Sequence, residues 1–134
     1  MVEVAVSVEV EVNPTEDEEK VRTAINNVLG AASITVQPFA KGSVLIAEAK
    51  GKDSLMKLRN LLHNDRIRDA SRRLLFKSIR GNKINFFLNK QVAFAGHISF
   101  SEETAESPLG PIRFSIETDD PVALVEWLAE KTAK

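Results

Sequence analysis

At 134 residues, 43% hydrophobic and 28% charged, the chain has the composition of an ordinary globular protein with enough apolar surface for a real core. The absence of cysteine excludes disulfides, thiolate metal sites and cysteine nucleophiles; no apolar run is long enough to span a bilayer, and no basic start followed by an apolar block marks a signal peptide. The net charge is only −1, but ten basic residues (Lys57, Arg59, Arg66, Arg68, Arg72, Arg73, Lys77, Arg80, Lys83 and Lys90) fall in one segment against Asp65 and Asp69, an excess of +8 that leaves −9 for the rest.

The chain opens with Val2, Val4, Val6, Val8, Val10 and Val12 at every second position, separated by Glu3, Ala5, Ser7, Glu9 and Glu11. This period of two predicts a long strand with one buried and one wet face, as in an antiparallel sheet covered on one side only. Asn13-Pro14 ends it. Thr15 and Glu18 have the spacing of a capping box, and Glu16 to Glu19 crowd a first helical turn, where the helix dipole favours anions. Val21, Ala24, Ile25 and Val28 form the buried stripe, with Gly30 as the expected stop. Ile34 to Phe39 and Val44 to Ala49 read as two strands joined through Lys41-Gly42.

Asp53 is placed to cap a helix whose inner face is Leu55, Leu58 and Leu62. Arg66 breaks that phase, and a new stripe of Ile67, Ala70, Leu74 and Ile79 begins. Two consecutive helices with a break near Asn64-Asp65 are therefore expected. Gly81-Asn82 ends the helical region. Ile84, Phe86 and Leu88 alternate in one strand, and Val92, Phe94, Gly96, Ile98 and Phe100 in the next. A loop of Asn89-Lys90-Gln91 would pair Leu88 with Val92 and bury one coherent face. Residues 101–110 are polar and turn-rich; Ile112, Phe114 and Ile116 make a last strand, and Asp120-Pro121 opens a helix that turns Val122, Val125 and Leu128 inward with Trp127 near the edge. The order β-α-β-β-α-α-β-β-β-α predicts one α+β domain over 1–134, a two-layer sandwich with a mainly antiparallel sheet and helices on one face.

With Ile67, Ala70 and Leu74 inward, the opposite side of the second basic helix carries Arg72, Arg73, Phe76, Lys77 and Arg80. An aromatic among arginines suits RNA: the guanidinium groups hold phosphates while the ring stacks a base. The bland account has Phe76 packed under a neighbour and the arginines solvated or paired with glutamates. Arg59, Arg66, Arg73 and Arg80 recur every seven residues, a basic stripe about 30 Å long on one straight helix, which the expected break divides. The second face of the predicted hairpin holds Asn85, Phe87, Ala93, Ala95 and His97. This apolar spot fits a dimer interface, an RNA-stacking platform or a missed layer; a homodimer is favoured because small residues allow close approach. His63 and His97 lack partners at metal-ligand spacing, and Glu102, Glu103 and Glu106 lack the base, nucleophile and orienting group of a hydrolase. No phosphate loop or zinc signature occurs, so no metal, cofactor or membrane is expected.

Three stretches together resemble a family of small archaeal proteins without known activity: 10–21 (Val10-Glu11-Val12-Asn13-Pro14-Thr15 through Lys20-Val21), 81–91 (Gly81-Asn82-Lys83-Ile84 through Leu88-Asn89-Lys90-Gln91) and 108–121 (Pro108-Leu109-Gly110-Pro111-Ile112 through Asp119-Asp120-Pro121). That family is similar to archaeal proteins predicted to bind RNA and act with the exosome, and its fold to the ribosomal protein that binds 5S RNA. The resemblance implies an archaeal cytoplasmic protein with an RNA partner and supplies no catalytic residues. The function expected is thus non-catalytic RNA binding by Arg66, Arg72, Arg73, Phe76, Lys77 and Arg80. The alternative is an interaction module that forms a homodimer without nucleic acid.

Overall fold

The alternating valines form β1 (Val4–Val12): Val4, Val6, Val8, Val10 and Val12 are buried and the residues between them exposed. The computed structural model describes residues 3–30, 33–39, 42–64, 67–101 and 111–130. Its remaining strands are β2 (Ser33–Phe39), β3 (Gly42–Lys50), β4 (Ile79–Arg80), β5 (Lys83–Asn89), β6 (Phe100–Ser101) and β7 (Pro111–Thr118). They make one antiparallel sheet in the order β2-β3-β1-β7-β5-β4, with β6 also on β5. Val8 lies opposite Ala47 on one side and Phe114 on the other, and Phe114 in turn lies opposite Phe86 with the two rings stacked at 5.0 Å. The period-two pattern therefore continues across the sheet as one apolar face.

All the helices of the described residues pack on that face. They are α1 (Glu18–Val28), α2 (Met56–Asn64), α3 (Arg68–Lys77), α4 (Lys90–Phe94) and α5 (Pro121–Leu128). Their buried stripes meet the strands: Val21, Ala24, Ile25 and Val28 from α1, Leu58 and Leu62 from α2, Leu75 from α3, and Leu124, Val125 and Leu128 from α5. Each fully buried leucine or isoleucine stabilises the fold by about 1.5–3 kcal/mol. The result is the two-layer α+β sandwich read from the sequence, its second sheet face bare of helices among the described residues.

Several local expectations are corrected. Helix α1 is capped by Asp17, whose Oδ1 accepts from Glu19 N at 3.0 Å, and not by a Thr15–Glu18 box. The turn after Pro14 brings Glu16 N to Asn13 O and delays the helix, so Glu16 instead accepts from Asn13 N and Nδ2, both at 2.9 Å. Leu29 is the C-cap, and Gly30 N donates to Ser54 O. Asp53 does not cap α2, which is entered through a 3₁₀ turn, Lys52–Leu55, after Gly51. The two-helix reading holds: α2 ends at Asn64 and α3 starts at Arg68, with Asp65 and Arg66 outside the described residues. The stripe on α3 is rotated, however. Ser71 and Leu75 are buried, Leu74 is partly buried and Ala70 is exposed, because Ser71 satisfies its own hydroxyl on Ile67 O at 2.7 Å and so tolerates the core position.

The largest correction concerns residues 90–100. No strand runs from Val92 to Phe100; Asn89 Oδ1 accepts from Val92 N at 2.9 Å and caps α4, leaving only Phe100–Ser101 as strand. Leu88 consequently pairs with Ile112 and Phe100, not with Val92. Helix α4 is held on α1 by Asn27 Nδ2, which donates to Ala93 O at 2.9 Å. In α5, Asp120 caps Ala123 N and Pro121 opens the helix as expected, but Val122 faces solvent while Leu124 takes the inner place.

Candidate nucleic-acid interface

Among the described side chains, the cations of the Lys57–Lys90 segment divide into two groups. Arg59 of α2 and Arg72 of α3 converge on the last turn of α5, where carbonyl groups lack helical partners and the dipole is negative. Arg59 Nε donates to Trp127 O at 2.9 Å and its Nη2 to Glu130 Oε1 at 3.2 Å. Arg72 binds Glu126 with both Nη atoms at 2.6 Å and donates from Nη1 to Ala129 O at 3.2 Å. Its guanidinium also lies over the Phe76 ring, 5.0 Å from the centroid. The hydrogen bonds to Glu126 raise the Arg72 pKa above its ordinary value; burial opposes this, and the charges of Glu126 and Asp69 add to the rise. Lys57 Nζ donates to Asn26 O at 2.7 Å. Lys90 is the most enclosed cation, 4% exposed, and its Nζ reaches Glu11 O at 2.8 Å and Glu16 Oε1 at 3.0 Å.

A second group faces outward where α3 ends. Arg73 and Lys77, one turn apart, are exposed on α3. Ser78 caps the helix, and the chain turns at once through Gly81-Asn82, placing Arg80 opposite Lys83 in the β4–β5 hairpin. Gly81 has φ +61°, a left-handed conformation that favours glycine in so tight a turn. Arg80 donates from Nη1 to Lys77 O and Ile79 O, both at 2.8 Å, while remaining exposed. Among the described residues, no ion pair involves Arg73, Lys77 or Lys83. These four cations form a strip from the helix layer around the sheet edge, with Glu117, opposite Lys83 on β7, as the acidic neighbour.

Beyond that edge lies the wet face of the sheet. Lys83, Asn85 and Phe87 alternate there with the buried Ile84, Phe86 and Leu88 of β5. Arg113 of β7, opposite Phe87, carries its guanidinium 5.4 Å from the Phe87 centroid. A depression of about 290 Å³ beside them is lined by Ser7, Glu9, Asn85, Phe87, Arg113, Phe114 and Ser115. A larger one of about 660 Å³ spreads over β1, β3 and β7 next to Lys83.

Of the six residues expected to meet RNA, the strip brings together Arg73, Lys77 and Arg80, the last from a strand and not from the helix face. Arg72 is engaged by Glu126. Phe76 is half-buried against the core and covered by Arg72. Arg66 lies outside the described residues, as does the Glu102–Glu106 loop. The stripe with spacing seven does not form, since Arg59 and Arg80 belong to different surfaces. Lys83 was missed, although its alternation with Ile84 and Phe86 is visible in the sequence. His63, the last-turn basic residue of α2, is half-buried, and His97 is exposed. Among the described residues no three His, Asp or Glu side chains are grouped to hold a metal ion, and no helix is long and apolar enough to cross a membrane.

A family model described as RNA binding matches residues 5–118. A UPF0201 protein of Sulfolobus acidocaldarius is 48% identical over 129 residues, covering 96% of this chain and 89% of that protein. The crystal structure of a UPF0201 protein from Methanococcus jannaschii superposes with a TM-score of 0.82 at 32% identity, covering 96% of this chain and 95% of that one. A DUF54 protein from Methanothermobacter thermautotrophicus shares the fold, with a TM-score of 0.63 at 20% identity over 97% of this chain and 95% of its own.

Proposed function

Because the chain belongs to the UPF0201 family of archaeal proteins and matches an RNA-binding family model, we propose that it is a non-catalytic RNA-binding protein whose phosphate contacts come from Arg73, Lys77, Arg80 and Lys83. One observation supports these residues above Arg59, Arg72 and Lys90: they are exposed around one edge with no ion pair among the described residues, while Arg59, Arg72 and Lys90 are ion-paired with Glu130, Glu126 and Glu16. Phosphates are recognised by charge and hydrogen bonding without reading sequence, so the strip accounts for affinity and orientation.

The geometry suits this role. Arg73 and Lys77 project from adjacent turns of a helix, and Arg80 and Lys83 from paired positions of a hairpin fastened at its tip by Thr118 N donating to Asn82 O at 2.9 Å. A rigid mount lowers the entropy lost when each side chain engages a phosphate. Four phosphates neutralised on single-stranded RNA predict a slope of log K against log salt near −3. Fluorescence anisotropy of a labelled RNA across a salt series tests this. An Arg73→Ala/Lys77→Ala/Lys83→Ala variant that stays folded is expected to bind weakly and with a much shallower slope. Salt-insensitive binding, or an unchanged slope in the variant, refutes the assignment.

A further inference from the structure

We propose that Phe87 and Arg113 form a stacking site for an unpaired base on the open face of the sheet, which makes the preferred ligand single-stranded RNA. The inference rests on the RNA-binding reading and adds to it a subsite for the base.

Phe87 belongs to the wet face of β5, yet it is a large aromatic that contributes nothing to the apolar core. Its neighbour across the strand, Arg113, lies over the ring with Cζ 5.4 Å from the centroid. Bases stack on aromatic rings and on guanidinium planes alike, so an unpaired base extends a stack that the protein has already begun.

Arg113 sits opposite Glu9 in the β1–β7 register, so the two formal charges beside the ring balance. A balanced site discriminates against a phosphate and suits a neutral base. The cation excess lies further along, where Glu117 opposite Lys83 on one side is outnumbered by Lys83 and its other neighbour Arg80; Lys83 is four residues from Phe87 on the same face of the same strand, about 13 Å away at the usual strand rise. Phosphates and a base are thus offered separate places on one straight element.

The depression next to Phe87 has a volume of about 290 Å³, at the lower limit for small-ligand sites, and Asn85, Ser7 and Ser115 line it. An amide and two hydroxyls both donate and accept, which matches the mixed edges of a nucleobase. A duplex, whose bases are paired and stacked inside, offers nothing to such a site.

The test compares a labelled oligouridine with an abasic oligomer of equal length and the same sugar-phosphate backbone, read by anisotropy. Wild type is expected to bind the oligouridine about tenfold more tightly than the abasic oligomer. Phe87→Ala should erase that preference and leave abasic binding and its salt slope unchanged, and Phe87→Trp should retain the preference. Equal binding of the two oligomers, with Phe87→Ala without effect, overturns the base site while leaving the phosphate strip standing. Binding of neither overturns both readings. Sedimentation of the same proteins adds one more outcome: a dimer that Phe87→Ala converts to monomer assigns this face to a second copy of the chain and overturns the proposal.

Discussion

Arg72 and Arg73 are adjacent in the chain, yet they belong to different parts of the molecule. One helical step of about 100° separates them. Arg72 turns toward α5 and takes Glu126 with both guanidinium arms, whereas Arg73 turns to solvent with Lys77. The end of α5 and the end of α3 are therefore two basic regions of opposite kind. In the first, arginines cap a helix C-terminus and hold the helix layer together. In the second, cations surround a hairpin and find no carboxylate partner among the described residues. Local charge density is the same signal in both, so the count of +8 overstates what is available to a polyanion.

The comparison can be broken most forcefully at Lys90, the most committed cation. Replacing it with alanine strands Glu16 beside Asn13 and leaves Glu11 O without its partner, and loss of about 3–5 kcal/mol is expected in chemical denaturation. Lys90→Met, which keeps the apolar stem, should lose less. Next in size is the loss of RNA affinity in the Arg73/Lys77/Lys83 variant, whose folding stability should change by only about 0.5 kcal/mol or less at each exposed position. A large fall in its melting temperature would erase the distinction between the two regions.

Arg72→Ala sharpens the comparison from the other side. It should lower the melting temperature while leaving the salt slope of RNA binding unchanged, and Arg72→Lys should restore stability only in part, because a single ammonium cannot reproduce the two parallel bonds to Glu126. The smallest effect concerns pH. A base whose pKa is raised on folding contributes stability that is fully present below its unfolded pKa and lost only as pH rises through the folded value. The Arg72 contribution, taken as wild type minus Arg72→Ala, should stay flat from about pH 7 to pH 10. A steady decline over that interval would show that another group controls the clasp.

The layered fold was legible because burial writes a period into the sequence. The valines of β1 repeat every second residue, and the leucines at 55, 58 and 62 follow the three-then-four spacing of a helix face. The failure at 92–100 has the same physical root. Val92, Phe94, Gly96, Ile98 and Phe100 mimic a strand, but the capping bond from Val92 N to Asn89 Oδ1 and the contact from Asn27 to Ala93 O favour a helical turn. The first is a local capping bond and the second a tertiary one, and hydrophobic periodicity reports neither. The rotated stripe of α3 has a similar cause, since a serine returning its hydroxyl to the backbone enters a core position that a hydrophobic count skips.

The candidate interface was half legible. Arg73, Lys77 and Arg80 lie in the region of high charge, but nothing in the sequence distinguishes Arg73 from Arg72, because the distinction is made by Glu126, 54 residues away. Phe76 and Phe87 exchange their expected importance for the same reason. The former packs against the core under an arginine that Glu126 holds, and the latter stays on the wet face because β5 pairs with β7 along its whole length.

Strand β1 sits at the middle of the sheet, although it precedes the other described strands in the chain. Its neighbours are β3 and β7, and Val4 finds its partner on the far side only in Thr118. A chain emerging from the ribosome can join β1 to β3 early, but the other edge of β1 stays open until β7 has been synthesised. Closing so large a loop slows folding, and an unpaired strand edge exposed meanwhile invites other chains. Glu9 and Glu11, wet-face residues that repel like strands, are well placed to guard that interval.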